Sequence, residues 1–317
     1  MLALITGGTG FVGRHLAKCL NKADTRSVSL TANPAELTSD VQESRLIDIR
    51  DSAALTTLAQ DLKPQQIYHL AAITSLSAAA SDERAAFDVN IWGTRNVLDS
   101  ASRLSPPPRV LNVSTSQVYG DTATSPITED APLNPRNTYA STKAAAEMLA
   151  RQYSSKCKVI TVRPFNHSGP GQSAHFVLSF FAHEIAAIEL GQRDPVLRTG
   201  NLNVRRDFTD VRDVVRAYAL LLDKGTSGET YNVCSGNGYL ISDALDFLLS
   251  LSSSKIKVEQ DPAKTRHGEA STTYGSYEKL ARDIGWQPTI SFQQMLTDTL
   301  QYWRQTLSAK ATAQATH

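Results

Sequence analysis

The stretch TGGTGFVG, Thr6 to Gly13, restricts this chain more than any other. It follows an apolar run, LALIT from Leu2 to Thr6. It opens a segment, Gly10 to Asn21, in which Phe11, Val12, His15, Leu16 and Leu20 recur near one helical face. Strand, glycine turn and helix in that order predict a dinucleotide site rather than a merely structural turn. Gly7 permits a tight turn, and Gly10 lets backbone approach a pyrophosphate held on the free N–H groups of the helix start. Gly13 lets helix and strand pack closely. Phe11 and Val12 belong to the same cofactor turn.

The rest of the first half repeats this alternation. Strands are expected at Ser27–Thr31, up to Leu46-Ile47, at Ile67–Leu70, Val110–Ser114 and Val159–Phe165. Helices are expected at Ser52–Leu62, Glu83–Leu104 and Asn137–Ser154, the second stopped by SPPPR. Continuous Val/Ile/Leu runs between helices argue for a parallel sheet covered on both faces. The expected fold is therefore α/β, a Rossmann-like doubly wound parallel sheet. A smaller mixed α/β C-terminal lobe follows. The first lobe takes residues 1–165 and about 207–235, where Val211–Lys224 and Glu229–Cys234 return to the sheet. The second takes 166–206 and 236–307, with helices near Ser242–Leu251 and Phe292–Gln305, and 308–317 reads as a flexible tail.

The formal net charge of +1 leaves no electrostatic footprint for nucleic acid or an acidic membrane. No apolar run reaches the roughly 18 residues of a membrane span, and no secretory leader is read at the N-terminus. Cys19, Cys157 and Cys234 lie far apart with no metal or disulfide spacing, so a reducing compartment, the cytoplasm, is the simplest home. No metal is expected, because His175 and His183 lack a third ligand at a sensible spacing.

A Rossmann site selective for NAD usually places Asp or Glu after the second strand, on the ribose 2′-OH. Here Thr31, Ala32 and Asn33 stand at that point. With no carboxylate to repel a 2′-phosphate, and no arginine plainly placed to welcome one, the reading leans to NADP(H) with NAD(H) tolerated. Further on, TYASTK sets Tyr139 and Lys143 four residues apart, on one face of a helix. An ammonium beside a phenol lowers the cost of proton exchange, so Tyr139 can protonate a developing alkoxide. Thr115, at the end of the fifth strand in STSQVYG, can bond the same oxygen.

TGGTGFVG, Asp48-Ile49, HLAA, Asn90, STSQVYG and YASTK together resemble the extended short-chain dehydrogenase/reductases, from the first strand to about Arg304. The resemblance implies that Thr115, Tyr139 and Lys143 are catalytic and that Lys143 also holds the nicotinamide ribose. It places Asp48 and Ile49 beside the adenine, and Leu70, Ala71, Ala72 and Asn90 along the cofactor. Asp48 could instead be a helix-start carboxylate. Sugar-nucleotide 4,6-dehydratases of this family have a glutamate base where this chain has Gln117, and an amide cannot take that proton. The resemblance thus favours a simple ketone reductase, with dehydratase, 4-epimerase and non-catalytic dinucleotide-binding regulator as rivals.

The substrate half, RPFNHSGPGQ, RRDFTD and QDPAKTRHGE, is similar to the subgroup that reduces the 4-keto group of GDP-4-dehydro-6-deoxy-D-mannose. That similarity implies a GDP-sugar lying near Thr115, Ser116 and Gln117. Asn166, Arg206 and Arg266 would sit on the diphosphate, Glu269 on the guanosine ribose and Val177 near the guanine. Arginine's planar fork suits phosphate oxygens. Arg205 fits a solvated face better than a phosphate clamp, and Arg266 lacks the stiffening proline that the subgroup has after it. Family relatives pair through two helices, here Glu83–Leu104 and Asn137–Ser154, which implies a homodimer.

Overall fold

The computed structural model describes residues 1–37, 41, 43–122, 125–261 and 272–315. Strand β1 (Leu2–Thr6) leads through the glycine turn into helix α1 (Phe11–Lys22), followed by β2 (Arg26–Thr31) and β3 (Ser44–Leu46). Helix α2 (Ser52–Leu62), β4 (Gln66–His69), α3 (Leu76–Ser81) and α4 (Glu83–Phe87) come next. A π-helical stretch, Asp88–Gly93, then runs into α5 (Thr94–Ser102). Strand β5 (Arg109–Val113), α6 (Thr138–Tyr153) and β6 (Lys158–Pro164) complete the first half. Beyond them lie β7 (Asn166–Ser168), α7 (Val177–Glu189), β8 (Val196–Thr199), β9 (Arg205–Arg206), β10 (Phe208–Asp210), α8 (Val211–Lys224) and β11 (Thr230–Val233). The chain ends with β12 (Tyr239–Leu240), α9 (Ile241–Ser250), β13 (Lys257–Gln260), β14 (Thr272–Thr273), α10 (Glu278–Ile284) and α11 (Phe292–Ala315).

Seven strands form one sheet in the order β11-β6-β5-β4-β1-β2-β3, with every pairing parallel. Successive side chains of a strand point to opposite faces, and β1 shows the result. Ala3 and Ile5 join α1 and α8 in one core, while Leu4 joins α2, α5 and α6 in another. Both faces are buried, which is why these strands read as unbroken apolar runs. A further core forms from α7, α9 and α11 with Leu197, Val204 and Phe208. Small sheets β10-β7, β12-β9-β14 and β13-β8 accompany it.

Two expectations need correction. The segment expected as one regular helix from Glu83 is capped by Asp82, whose carboxylate accepts from Ala85 N at 2.9 Å, and passes through the π stretch before α5. The bulge has a purpose, seen at Asn90 below. The last helix does not stop near Gln305 but runs to Ala315. Leu307 is buried in the α7–α9–α11 core, and the alanines that follow are good helix formers. Among the described residues no helix is long and apolar enough to cross a membrane.

Candidate active site

The site lies beyond the carboxyl ends of β1, β4 and β5, where ligands bind in open α/β sheets. Gly7 has φ +67°, and a Cβ there would come within 2.9 Å of the Ala71 backbone. A Cβ on Gly13 would stand 2.5 Å from Gly7 O. The glycines therefore seat the turn against α1 and the Leu70–Ala72 segment. Gly10 caps α1 without a side chain, leaving the helix start open to an anion. This cradle, with glycine at 7, 8, 10 and 13 and a helix start that no side chain caps, fits the pyrophosphate of a dinucleotide. Phe11, at the helix start, stacks on His167 at 6.3 Å between ring centroids, tying the turn to β7.

A chain of hydrogen bonds runs from β1 to the proposed catalytic helix. Thr94 Oγ1 has a single hydrogen and gives it to Asn90 O at 2.6 Å, so at 2.9 Å it accepts from His69 Nε2. Neutral His69 then accepts at Nδ1 from Thr6 Oγ1 at 2.8 Å, and Thr6 Oγ1 accepts from Ala71 N at 3.2 Å. Burial, then the charge of Lys143, pulls His69 down to about 3, so it stays neutral throughout the working range. Asn90 accepts from Ile73 N at 2.8 Å and donates Nδ2 to Thr142 Oγ1 at 3.0 Å. Thr142 in turn donates to Tyr139 O at 2.8 Å. The π turn sets Asn90 where its amide can link the Ile73 loop to α6, and π bulges occur often at functional sites.

Asn137 caps α6 by accepting from Ala140 N at 2.8 Å. Tyr139 and Lys143 lie on the next turns, both buried. The Thr115 hydroxyl lies near the Tyr139 phenol and favours its ionised form. The acidity of this phenol is set chiefly by burial. Burial pushes Tyr139 up to about 12, and the nearby Thr115 hydroxyl opposes it only in part. Burial also drives the Lys143 ammonium down to about 8, against the opposing field of Glu147. Below about pH 8 the pair is thus a neutral phenol beside a desolvated ammonium.

Beneath Lys143 sits a group that the sequence reading passed over. Glu147, a further turn along α6, accepts from the Ser114 hydroxyl and from Arg163, whose Nη2 lies 2.7 Å away. Both partners of this ion pair are nearly inaccessible, at 5% and 8%. Burial works against the Arg163 charge, but Glu147 more than compensates and holds the guanidinium above its ordinary value. The spacing Tyr139, Lys143, Glu147 was a visible signal, since it repeats the one-face interval.

Gln117 shows how an amide is fixed. Asn137 Oδ1 is taken by the helix cap, so Asn137 Nδ2 donates, at 3.2 Å, to Gln117 Oε1. That leaves Gln117 to present its –NH2 as a donor. Its backbone N–H donates to Thr115 Oγ1 at 3.2 Å, on the short turn Ser116–Tyr119.

At the adenosine end the structure departs from the sequence reading. No carboxylate stands at Thr31, Ala32 or Asn33, but Glu36 folds back to supply one. Asn33 caps a short turn with Pro34 at its first position, and the Glu36 carboxylate accepts from Thr9 Oγ1 at 2.9 Å and Thr31 Oγ1 at 3.0 Å. An Asn-Pro pair at a strand end was the available signal. Asp48 is not the helix cap. Asp51 caps α2, accepting from Ala53 N and Ala54 N. Asp48 pairs with Arg50 at 2.6 Å, and that hydrogen bond holds its carboxyl below the usual range. Ile49 is buried in the core with Leu4 and Leu30, where a Cβ on Gly93 would stand 2.4 Å from it.

The substrate candidates are more scattered. Asn166 opens β7 and donates to Asp207 O at 3.2 Å. Val177 begins α7 and is exposed. Arg206 lies on β9 between Tyr239 and Thr273, with Nη1 2.9 Å from Arg205 O. Arg205 is exposed and donates to Gly238 O at 3.1 Å. Arg266 and Glu269 fall outside the described residues.

Comparison with known proteins follows the same lines. Residues 4–299 match the family described as GDP-mannose 4,6 dehydratase. The GDP-6-deoxy-D-mannose reductase of Pseudomonas aeruginosa is 35% identical over 303 residues, 94% of this chain and 96% of that one. Among solved structures, RMD from Pseudomonas aeruginosa complexed with NADPH superposes with a TM-score of 0.85 at 34% identity, covering 96% of this chain and 99% of the other. The Thermus thermophilus UDP-glucose 4-epimerase in complex with NAD gives 0.84 at 27% identity, covering 96% and 99%.

Proposed function

The chain belongs to the GDP-mannose 4,6-dehydratase family of extended short-chain dehydrogenase/reductases, and from that premise we propose that it reduces its sugar nucleotide rather than dehydrating it. The substrate would be GDP-4-dehydro-6-deoxy-D-mannose and the product GDP-6-deoxy-D-mannose (GDP-D-rhamnose), made with a nicotinamide dinucleotide. One observation carries this reading. The Thr115 hydroxyl stands close enough to the Tyr139 phenol to favour its ionised form, and beside them the position that would hold an eliminating base is an amide held by Asn137.

When bound, the dinucleotide would supply a hydride to C4 of the keto sugar. Gly7, Gly10, Phe11, Val12 and Gly13 would hold its pyrophosphate and Lys143 its nicotinamide half, while Asn90, expected along the cofactor, is buried and instead braces the Ile73 loop against α6. Tyr139 gives its phenolic proton to the oxygen at C4 as that oxygen becomes an alkoxide. Thr115 orients the same oxygen, and donors fixed before the reaction stabilise the growing charge. Lys143 returns a proton to Tyr139 from solvent. Gln117 Nε2 can donate to the sugar but cannot remove a C5 proton, the step that loss of the C6 hydroxyl from GDP-mannose would need. Ser116, Asn166, Val177 and Arg206 line the proposed path of the GDP-sugar, with Arg266 and Glu269 assigned to it by sequence alone.

NADPH in the Pseudomonas aeruginosa relative supports NADP(H) as a usable cofactor, whereas Glu36 speaks for NAD(H). We also propose a homodimer, since Phe87, Trp92 and Met148 stand 46%, 54% and 62% exposed on the two helices assigned to pairing. Three free thiols support a reducing, cytoplasmic setting. The test is to mix purified protein with GDP-4-dehydro-6-deoxy-D-mannose and reduced dinucleotide and follow absorbance. Equimolar oxidation of dinucleotide is the expected result. Loss of water from GDP-mannose with no dinucleotide consumed would refute the reading.

A further inference from the structure

We propose that Glu36 is the residue that sets dinucleotide choice in this chain, and that it selects NADH over NADPH. The inference rests on the dinucleotide site argued above. Its carboxylate bridges two elements at once, Thr9 in the glycine turn and Thr31 at the end of β2. The glycine turn would hold the pyrophosphate, and the Asp48-Ile49 segment would border the adenine. The adenosine ribose joins those two groups, so a carboxylate latched between the turn and β2 faces that ribose. Such an acceptor bonds a 2′-hydroxyl and repels a 2′-phosphate.

The surroundings add to the effect. The stretch 31–43, TANPAELTSDVQE, contains Glu36, Asp40 and Glu43 and no Lys or Arg. The two arginines that follow it are engaged. Arg45 lies 2.6 Å from Glu43, and Arg50 grips Asp48 through Nε and Nη2. Neither offers the planar fork that a 2′-phosphate would need. The latch itself is preorganised. Asn33 accepts from Ala35 N at 3.1 Å and its side chain donates toward Glu36 Oε1 at 3.4 Å, so the carboxylate is held before any ligand arrives.

The test is calorimetric titration of the full chain, without sugar, using NADH and NADPH in turn. Wild type should bind NADH more tightly by about tenfold or more, since the carboxylate repels a 2′-phosphate. Raising salt should shrink that ratio, because the repulsion is screened. Glu36→Gln should shrink it too, mainly by improving NADPH. Glu36 is exposed, and unchanged circular dichroism would show that the variant is folded. NADPH binding as tightly as NADH, or an unaltered ratio in Glu36→Gln, would overturn the inference while leaving the dinucleotide site intact. Binding of neither would overturn both.

Discussion

The two ends of the proposed cofactor groove are built differently. At the nicotinamide end, Tyr139 and Lys143 are buried and tied through Thr142, Asn90, Thr94 and His69 back to β1. At the adenosine end, Glu36 and Asn33 sit on an exposed turn, and the Asp48–Arg50 pair is half open to solvent. Chemistry needs positions held to fractions of an ångström, which a buried network with every partner satisfied can provide. Selectivity between two ribose substituents needs only the right charge at the rim, and an exposed turn can change that charge without disturbing the core.

The sharpest way to break this contrast is Tyr139→Phe. Turnover of the keto sugar should fall by about 10²–10⁴, while dinucleotide affinity, measured by calorimetry, stays near wild type. Retained turnover would remove Tyr139 from its role. Next in size is Glu147→Ala, which strands Arg163 in the core. We expect about 3–5 kcal/mol less stability in urea unfolding, and a loss under 1 kcal/mol would mean that the pair is not buried as described. Asn90→Ala leaves the Ile73 N–H without its acceptor and Thr142 without its donor. It should cost about 1–3 kcal/mol and lower kcat more than it raises KM. A variant with normal kcat would reduce the π turn to a packing feature.

Acidity sharpens the same comparison. Lys143 is charged below about pH 8 and neutral above it. Reduction consumes a proton, so its rate should fall by about tenfold per unit above that point, whereas Tyr139, at about 12, adds no limb of its own there. Stability should move the other way. The unfolded chain holds the Lys143 proton up to its ordinary 10.5, so between about 8 and 10.5 the unfolded state binds more protons and this group's contribution rises with pH. A rate that climbs through pH 8 would contradict the assignment. The smallest effect belongs to the rim. Asp48→Asn should change stability by about 0–1 kcal/mol, as exposed pairs do, and a larger loss on thermal unfolding would show that this end is structural after all.

How much of this could be read from residues alone follows the same divide. The alternation of apolar strands and helices has short-range causes, and α2 and α8 fall where their caps and apolar periods place them. Tyr139 and Lys143 were legible because a helix brings every fourth residue into line. Glu147 was legible on the same ground and was overlooked. The π turn was not, since its cause is a long-range contact between Asn90 and the Ile73 loop. Nor was the ionisation of Tyr139, which depends on how much of the sheet covers it. Glu36 escaped because the reading looked for a carboxylate next to β2 in sequence. The chain instead delivers it through a turn that Asn33 and Pro34 start.

The central claim is a single reduction at C4 with its proton from Tyr139. It is tested most directly by offering the protein GDP-4-dehydro-6-deoxy-D-mannose with dinucleotide carrying deuterium at its transferable position, and reading the product by NMR. The account predicts one deuterium on C4 of the 6-deoxy sugar for each dinucleotide oxidised. Unlabelled C4, or a ketone left untouched while GDP-mannose supplied in its place loses water, would contradict it.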